Sequence, residues 1–203
     1  MQYMLSPEER EARQIRRQAR EAEQRLSNNR LAVTVFQVSW IMVFVSLVVV
    51  NWQLGFAPGW RPSDLQMPDP LLPTLATIAL LGSTALAWHA RRLVAAGQVS
   101  AFLSEWRIAI ALGVVFLLIM LQQFFALPQG GEGTQYVFMY RLMIGYHALH
   151  TLAIGGLMVQ VYRYGKRGNY GAEHSWPVEG SAKLWYFVTV AWIIFYVVLY
   201  WIR

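Results

Sequence analysis

Long apolar runs, separated by short polar or proline-rich connections, dominate this chain. Five are near the length of about 20 residues that crosses a bilayer as a helix. They cover residues 31–53, 71–90, 108–127, 137–162 and 184–202. The pattern predicts an all-α integral membrane bundle of five transmembrane helices. Residues 1–30 break it, because they are almost all polar and carry seven Arg against five Glu. "SPEEREARQIRRQAREAEQRL" predicts a separate amphipathic, charged helix. Ser6 caps it, Pro7 takes the first position, Glu9 completes a capping box, and Glu9–Arg13 and Glu21–Arg25 sit at i,i+4 spacing. The expected organisation is therefore a cytoplasmic N-terminal helix over 1–30 and a transmembrane domain over 31–203.

Composition strengthens the membrane reading. Hydrophobic residues make up 56% of the chain and charged residues 14%, against about 25% in ordinary globular domains. The net charge of +6 reports topology rather than nucleic-acid binding. Arg91, Arg92, Arg107, Arg163, Lys166, Arg167 and Lys183 fall in the connections on the same side as the N-terminus. The opposite side holds Arg61 with Asp64 and Asp69, then Glu132. Basic residues favour the cytoplasmic side, which predicts a cytoplasmic N-terminus and a C-terminus outside. The first apolar run is too long for a signal-peptide core and should stay as an anchor. There is no cysteine, so thiolate metal sites and disulfides are excluded. Small residues recur four apart at Ser83/Ala87, Ala109/Gly113 and Thr151/Gly155, a spacing that lets membrane helices approach closely.

The candidate chemistry is in the fourth run, "YHALHTLAIGG". His147 and His150, three apart, share a helix face. They could be ligands, proton carriers or packed groups. A bis-histidine haem needs a ligand from an opposing helix at matching depth. The other membrane histidine, His89, sits at the inner edge of the second helix, about 20 Å from His150 by helical rise. No Asp or Glu is placed within any of the five runs. The residues alone therefore favour a hydrogen-bonded structural pair, in contact with a neighbouring subunit.

The segment Tyr146-His147-Ala148-Leu149-His150 followed by "TLAIGG" resembles the Phe-His-Gly-Leu-His motif of subunit III of the haem-copper oxygen reductases, the cytochrome c and quinol oxidase family. His174 and Glu179 match part of a histidine and glutamate pattern before the family's final helix. Trp185, Phe187, Val188, Trp192, Tyr196, Tyr200 and Trp201 match the aromatic final helix. "RLAVTVFQVS", "LLGST" and "LGVVF" extend the likeness to residues 30–203. Five helices correspond to the short form of the family. Two family acids are replaced, by Trp40 and Gln123, and a histidine and an aspartate near the last helix become Tyr186 and Thr189.

The resemblance implies a non-redox core subunit of a proton-translocating terminal oxidase that reduces oxygen to water. Its partners would be subunits I and II, and it would sit in a bacterial-type cytoplasmic (inner) membrane. It implies no cofactor and no catalytic or metal residue in this chain. His147, His150, His174, Glu179, Trp185 and Trp192 would be structural or subunit-contact residues. Bound phospholipid is expected, with Arg91, Arg92, Lys166 and Arg167 as headgroup contacts. An accessory protein of a nitric oxide reductase and a small membrane transporter remain as alternatives.

Overall fold

A computed structural model describes residues 6–60, 69–126, 134–170 and 175–202. They form five helices: α1 (Pro7–Gly55), α2 (Leu71–Ala95), α3 (Val99–Ala126), α4 (Thr134–Lys166) and α5 (Trp176–Tyr200). Each is long and apolar enough to cross a membrane. The chain divides into two units, Met1–Val38 and Ser39–Arg203.

In the first unit the capping box forms as its sequence predicts. The Ser6 amide donates to Glu9 Oε2 at 2.9 Å, and the Glu9 amide donates to Ser6 Oγ at 3.2 Å. The helix that starts there does not end near residue 30. Between Pro7 and Gly55 there is no proline or glycine, so no residue type in that stretch breaks the backbone ladder. The boundary expected between a surface helix and a first span is therefore a change of side-chain polarity within one helix.

In the second unit α2 packs on α3, α3 on α4, and α5 on both α2 and α4. The helices extend past their apolar runs. α2 and α3 are joined by Ala96–Gln98 alone, so Arg91 and Arg92 lie in the last turns of α2, and Arg107 is inside α3. Gly97 sets that stop. Its φ of +75° is available to glycine without steric cost. The Gln98 amide donates to the Leu93 carbonyl and the Gly97 amide to that of Val94, the pairing that closes a helix in a Schellman motif. Gly168 (φ +76°) ends α4 in the same way. α5 begins at Trp176, with Pro177 in its first turn, so Glu179 and Lys183 are helical rather than in a loop. Charge marks where a helix leaves hydrocarbon, whereas the glycines decide where the backbone turns.

α5 is the most buried of the five helices. Of its most apolar 18 residues 56% are buried, against 6% for α1, where only Phe44 and Asn51 are buried.

Candidate functional site

His147 lies on α4 and is fully buried at 0% exposure. Its imidazole is surrounded by rings from three other helices. Centroid distances are 5.9 Å to Phe44 of α1, 5.6 Å to Phe116 of α3, and 5.3 and 6.1 Å to Trp192 and Phe195 of α5. Neither ring nitrogen has a hydrogen-bond partner. This corrects one expectation, because His147 is not hydrogen-bonded. It is also enclosed within its own chain, so a neighbouring subunit cannot touch it directly.

His150, one turn on, differs. Its Nδ1–H donates to the Tyr146 carbonyl at 2.7 Å. A carbonyl only accepts, so this bond puts the proton on Nδ1. Trp40 stands edge-on to the ring at 4.0 Å, with Tyr146 at 4.2 Å and Phe44 at 5.1 Å. The Trp40 indole therefore packs on the second histidine. Gln123 is also buried. Its Oε1 lies 3.2 Å from the Tyr140 hydroxyl and 3.4 Å from the Tyr200 hydroxyl, and these hydroxyls pair with each other at 2.6 Å, so one donates to the other and the remaining hydrogen goes to Gln123. Among the described residues, no three His, Cys, Asp or Glu side chains converge.

Beside the histidines runs a polar seam between α5 and α2. Trp192 Nε1 donates to Thr77 Oγ1 at 2.8 Å, and Trp185 Nε1 to Ser83 Oγ at 3.0 Å. The Thr84 and Thr189 hydroxyls are 2.6 Å apart, as are those of Thr74 and Tyr196. Ser83 Oγ passes the chain on to the Ala109 carbonyl of α3 at 2.7 Å. In hydrocarbon these side chains have no competing water, so pairing with one another fixes helix register. Trp185 also explains the small residues. A Cβ on Gly113 would meet its Cζ2 at 2.8 Å, and one on Gly155 would lie 4.0 Å from its Cζ3. The small positions thus form a socket for one indole, besides letting two backbones approach.

The histidine pair and Trp192 share one cluster, and Trp185 continues the seam. Glu179 lies apart, in the first turn of α5. There its charge complements the helix dipole, and it pairs with Lys183 at 3.2 Å. His174 lies outside the described residues. The four basic candidates occupy the C-terminal ends of α2 and α4 and the turn after α4. Arg92 stacks over Trp88 at 3.6 Å, while Lys166 and Arg167 lie 6.0 and 5.9 Å from the rings of Tyr162 and Tyr164. Glu105 of α3, outside the apolar run as read, pairs with His89 at 2.7 Å. Phe44, Phe116, Phe195 and Thr77 escaped the sequence reading. Their helical spacing marks them as apolar or small, and nothing local says which of five helices they will meet.

This arrangement serves packing and register. It offers two imidazoles enclosed by rings, a hydroxyl seam, and cations over aromatic faces at one end. The chain matches the family model described as cytochrome c oxidase subunit III over residues 20–203. Among curated relatives, it is 26% identical over 179 residues to cytochrome c oxidase subunit 3 of Dasypus novemcinctus. It is 25% identical over the same length to the proteins of that name from Tragelaphus oryx and Aepyceros melampus. Each alignment covers 85% of this chain and 69% of the relative. With a match that spans all five apolar segments and the histidine cluster, this chain belongs to the cytochrome c oxidase subunit III family.

Proposed function

We propose that this chain is the third core subunit of a proton-translocating haem-copper terminal oxidase, one that holds no redox centre and acts by stabilising subunit I and retaining lipid. Its complex would also contain subunit II, and its home would be a bacterial-type inner membrane with the N-terminus cytoplasmic. The observation that carries this reading is the enclosure of His147 by Phe44, Phe116, Trp192 and Phe195. A histidine used to clamp four helices together is a packing element. With Trp40 beside His150 and an amide at Gln123, no carboxylate among the described residues adjoins the pair to pass a proton along.

Two further features support the reading. α1 presents Val35, Ile41, Met42, Val45, Val49 and Trp52 outward. That apolar face suits lipid tails or the helices of a partner subunit. Arg92, Lys166 and Arg167 are exposed near the ends of α2 and α4 that the charge pattern places on the cytoplasmic side. Lipid phosphates there would gain about 1 kcal/mol per basic residue. Arg91, next to Arg92 in the last turns of α2, is half-buried and would steady the same surface.

Affinity purification from native membranes, with mass spectrometry of the neighbours and an optical spectrum, tests the assignment. Co-purification with a haem- and copper-bearing catalytic subunit is the expected result. A Soret band belonging to the isolated chain would overturn it, as would a partner built around non-haem iron.

A further inference from the structure

After Pro7 and up to Arg30, the apolar side chains of α1 are Ala12, Ile15, Ala19, Ala22 and Leu26, and every other residue is polar. Their intervals alternate between three and four. That spacing makes them the a and d positions of a heptad, a narrow seam along one helix. Every residue from Ser6 to Ala32 is exposed, Ile15 at 60% and Leu26 at 40%, so no described residue covers the seam. Charge lines its edges. Glu9, Arg16, Glu23 and Arg30 occupy the e positions, and Glu11, Gln18 and Arg25 the g positions. We propose that this seam docks an α-helix of a partner subunit as a two-stranded coiled coil, and that the partner sets a carboxylate against Arg25.

Three arguments choose this occupant. First, the seam is too narrow for lipid. A helix that lies on a bilayer needs a broad apolar face of about 100° or more, whereas a strict a/d seam fits the facing side chains of one other helix. Second, the edges are mixed in sign. Along the e edge acid and base alternate, which an anionic membrane surface does not favour and a helix with the opposite order does. The helix also runs on from Arg30 into residues 31–38 of the apolar run without a break. Lying flat on the membrane would require a bend there, and neither proline nor glycine is present to make one. Third, a second copy of this chain fits poorly. Two copies inserted the same way run parallel and in register, where each g residue meets the e residue five positions on. Arg25 would then meet Arg30 of the other copy, twice over, and Gln18 would meet Glu23. A different helix, acidic opposite Arg25, removes that repulsion. The proposal concerns the first unit alone and stands whatever the complex turns out to be.

The chain has no cysteine, so single cysteines can report on the seam in the full chain within the assembly it purifies with. Ala19→Cys and Ala22→Cys lie on the seam, and Arg17→Cys and Gln24→Cys lie on the opposite face. The probe is a water-soluble maleimide, and its rate of reaction is read by mass spectrometry. A seam covered nine-tenths of the time is open for one-tenth, so the seam cysteines should react about tenfold more slowly than the other two. The difference should vanish when the chain is released from its assembly. Ala22→Glu, too large and too polar for the seam, should raise the rate at Ala19→Cys to that of Arg17→Cys. Being at an exposed position, it should leave the melting temperature unchanged. Arg25→Glu should also raise the rate at Ala19→Cys. Arg17→Glu, which faces Glu21 across one helical turn as Arg25 does, should not. Equal rates at all four positions in the assembly would overturn the proposal. So would slow seam labelling of the chain alone in phosphatidylglycerol vesicles, which would make lipid the occupant. Disulfide-linked pairs of the Ala19→Cys chain in the assembly would make it a second copy. Equal effects of Arg25→Glu and Arg17→Glu would refute the carboxylate.

Discussion

Gly113 separates two forces of opposite sign. In an ordinary helix interior Gly→Ala stabilises by about 1 kcal/mol, because alanine has less backbone entropy to lose. At Gly113 the added methyl would lie 2.8 Å from Trp185 Cζ2 and 2.9 Å from Cη2, well inside the 3.4 Å at which ordinary contact begins. The indole cannot retreat cheaply. It is 1% exposed, and its Nε1 is tied to Ser83, which is tied in turn to the Ala109 carbonyl. Overpacking of this kind costs about 1–3 kcal/mol. Loss of the Ser83 bond, if the ring swings away, costs about 1 kcal/mol more. Set against the helix gain, Gly113→Ala should destabilise by about 1–3 kcal/mol. The assay is thermal or denaturant unfolding of the detergent-purified chain, followed by circular dichroism. Gly156→Ala, on α4 with nothing within 4 Å of the added methyl, is the control and should hold or gain stability. Adding Trp185→Phe to Gly113→Ala removes the benzo edge that clashes. It should recover part of the loss, so that the double variant is more stable than the two single losses predict. If Gly113→Ala is as benign as Gly156→Ala, the socket reasoning is wrong.

Other outcomes follow from the same geometry. His147→Phe should fold normally, since the imidazole makes no hydrogen bond and a ring is kept. His147→Ala should open the cage, lower the melting temperature and weaken co-purification with the catalytic subunit without loss of haem per catalytic subunit. Equal behaviour of the two variants would contradict the packing role. Thr77→Val strands the Trp192 N–H and should cost about 1–3 kcal/mol in the unfolding assay, the penalty of a buried donor left unpaired. Gln123→Glu puts an ionisable group beside a hydrogen-bonded pair of tyrosine hydroxyls. It should lower the stability of the purified chain, and an unchanged melting temperature would count against this. Replacing Arg92, Lys166 and Arg167 together with glutamine should reduce anionic phospholipid retained per chain, measured by lipid mass spectrometry. Unchanged retention would leave these residues with a topological role alone.

Much of the architecture was legible because the bilayer imposes a length and a polarity that a linear pattern can satisfy. Five apolar runs became five helices, and Ser6-Pro7-Glu8-Glu9 became a capping box, since both signals are local. The small residues four apart were rightly read as close-packing positions, but their neighbour was not. The socket they form is for Trp185, which lies more than 70 residues later than Gly113. The histidine pair was read as hydrogen-bonded. The two residues divide instead, with His150 bonded to its own helix and His147 bonded to nothing, because Tyr146 is one turn before His150 on the same helix while four rings from elsewhere fill the space around His147.

Hydropathy and charge along the chain were enough to determine that this protein is a five-helix membrane bundle and where its helices are polar, while the likeness to subunit III rested on a resemblance of motifs, Tyr146 to His150 above all. They could do so because water, lipid and the helical hydrogen-bond ladder act residue by residue. Only the tertiary structure decided that α5 is the most buried helix, that α1 stays largely uncovered and that Trp40 faces His150. It alone showed that Asn51 is buried near the end of α1 without a partner for its oxygen. Those facts depend on which helix faces meet. In a bilayer every face is apolar enough for lipid, so hydrophobicity no longer chooses between them, and shape together with a few hydroxyl and indole bonds does.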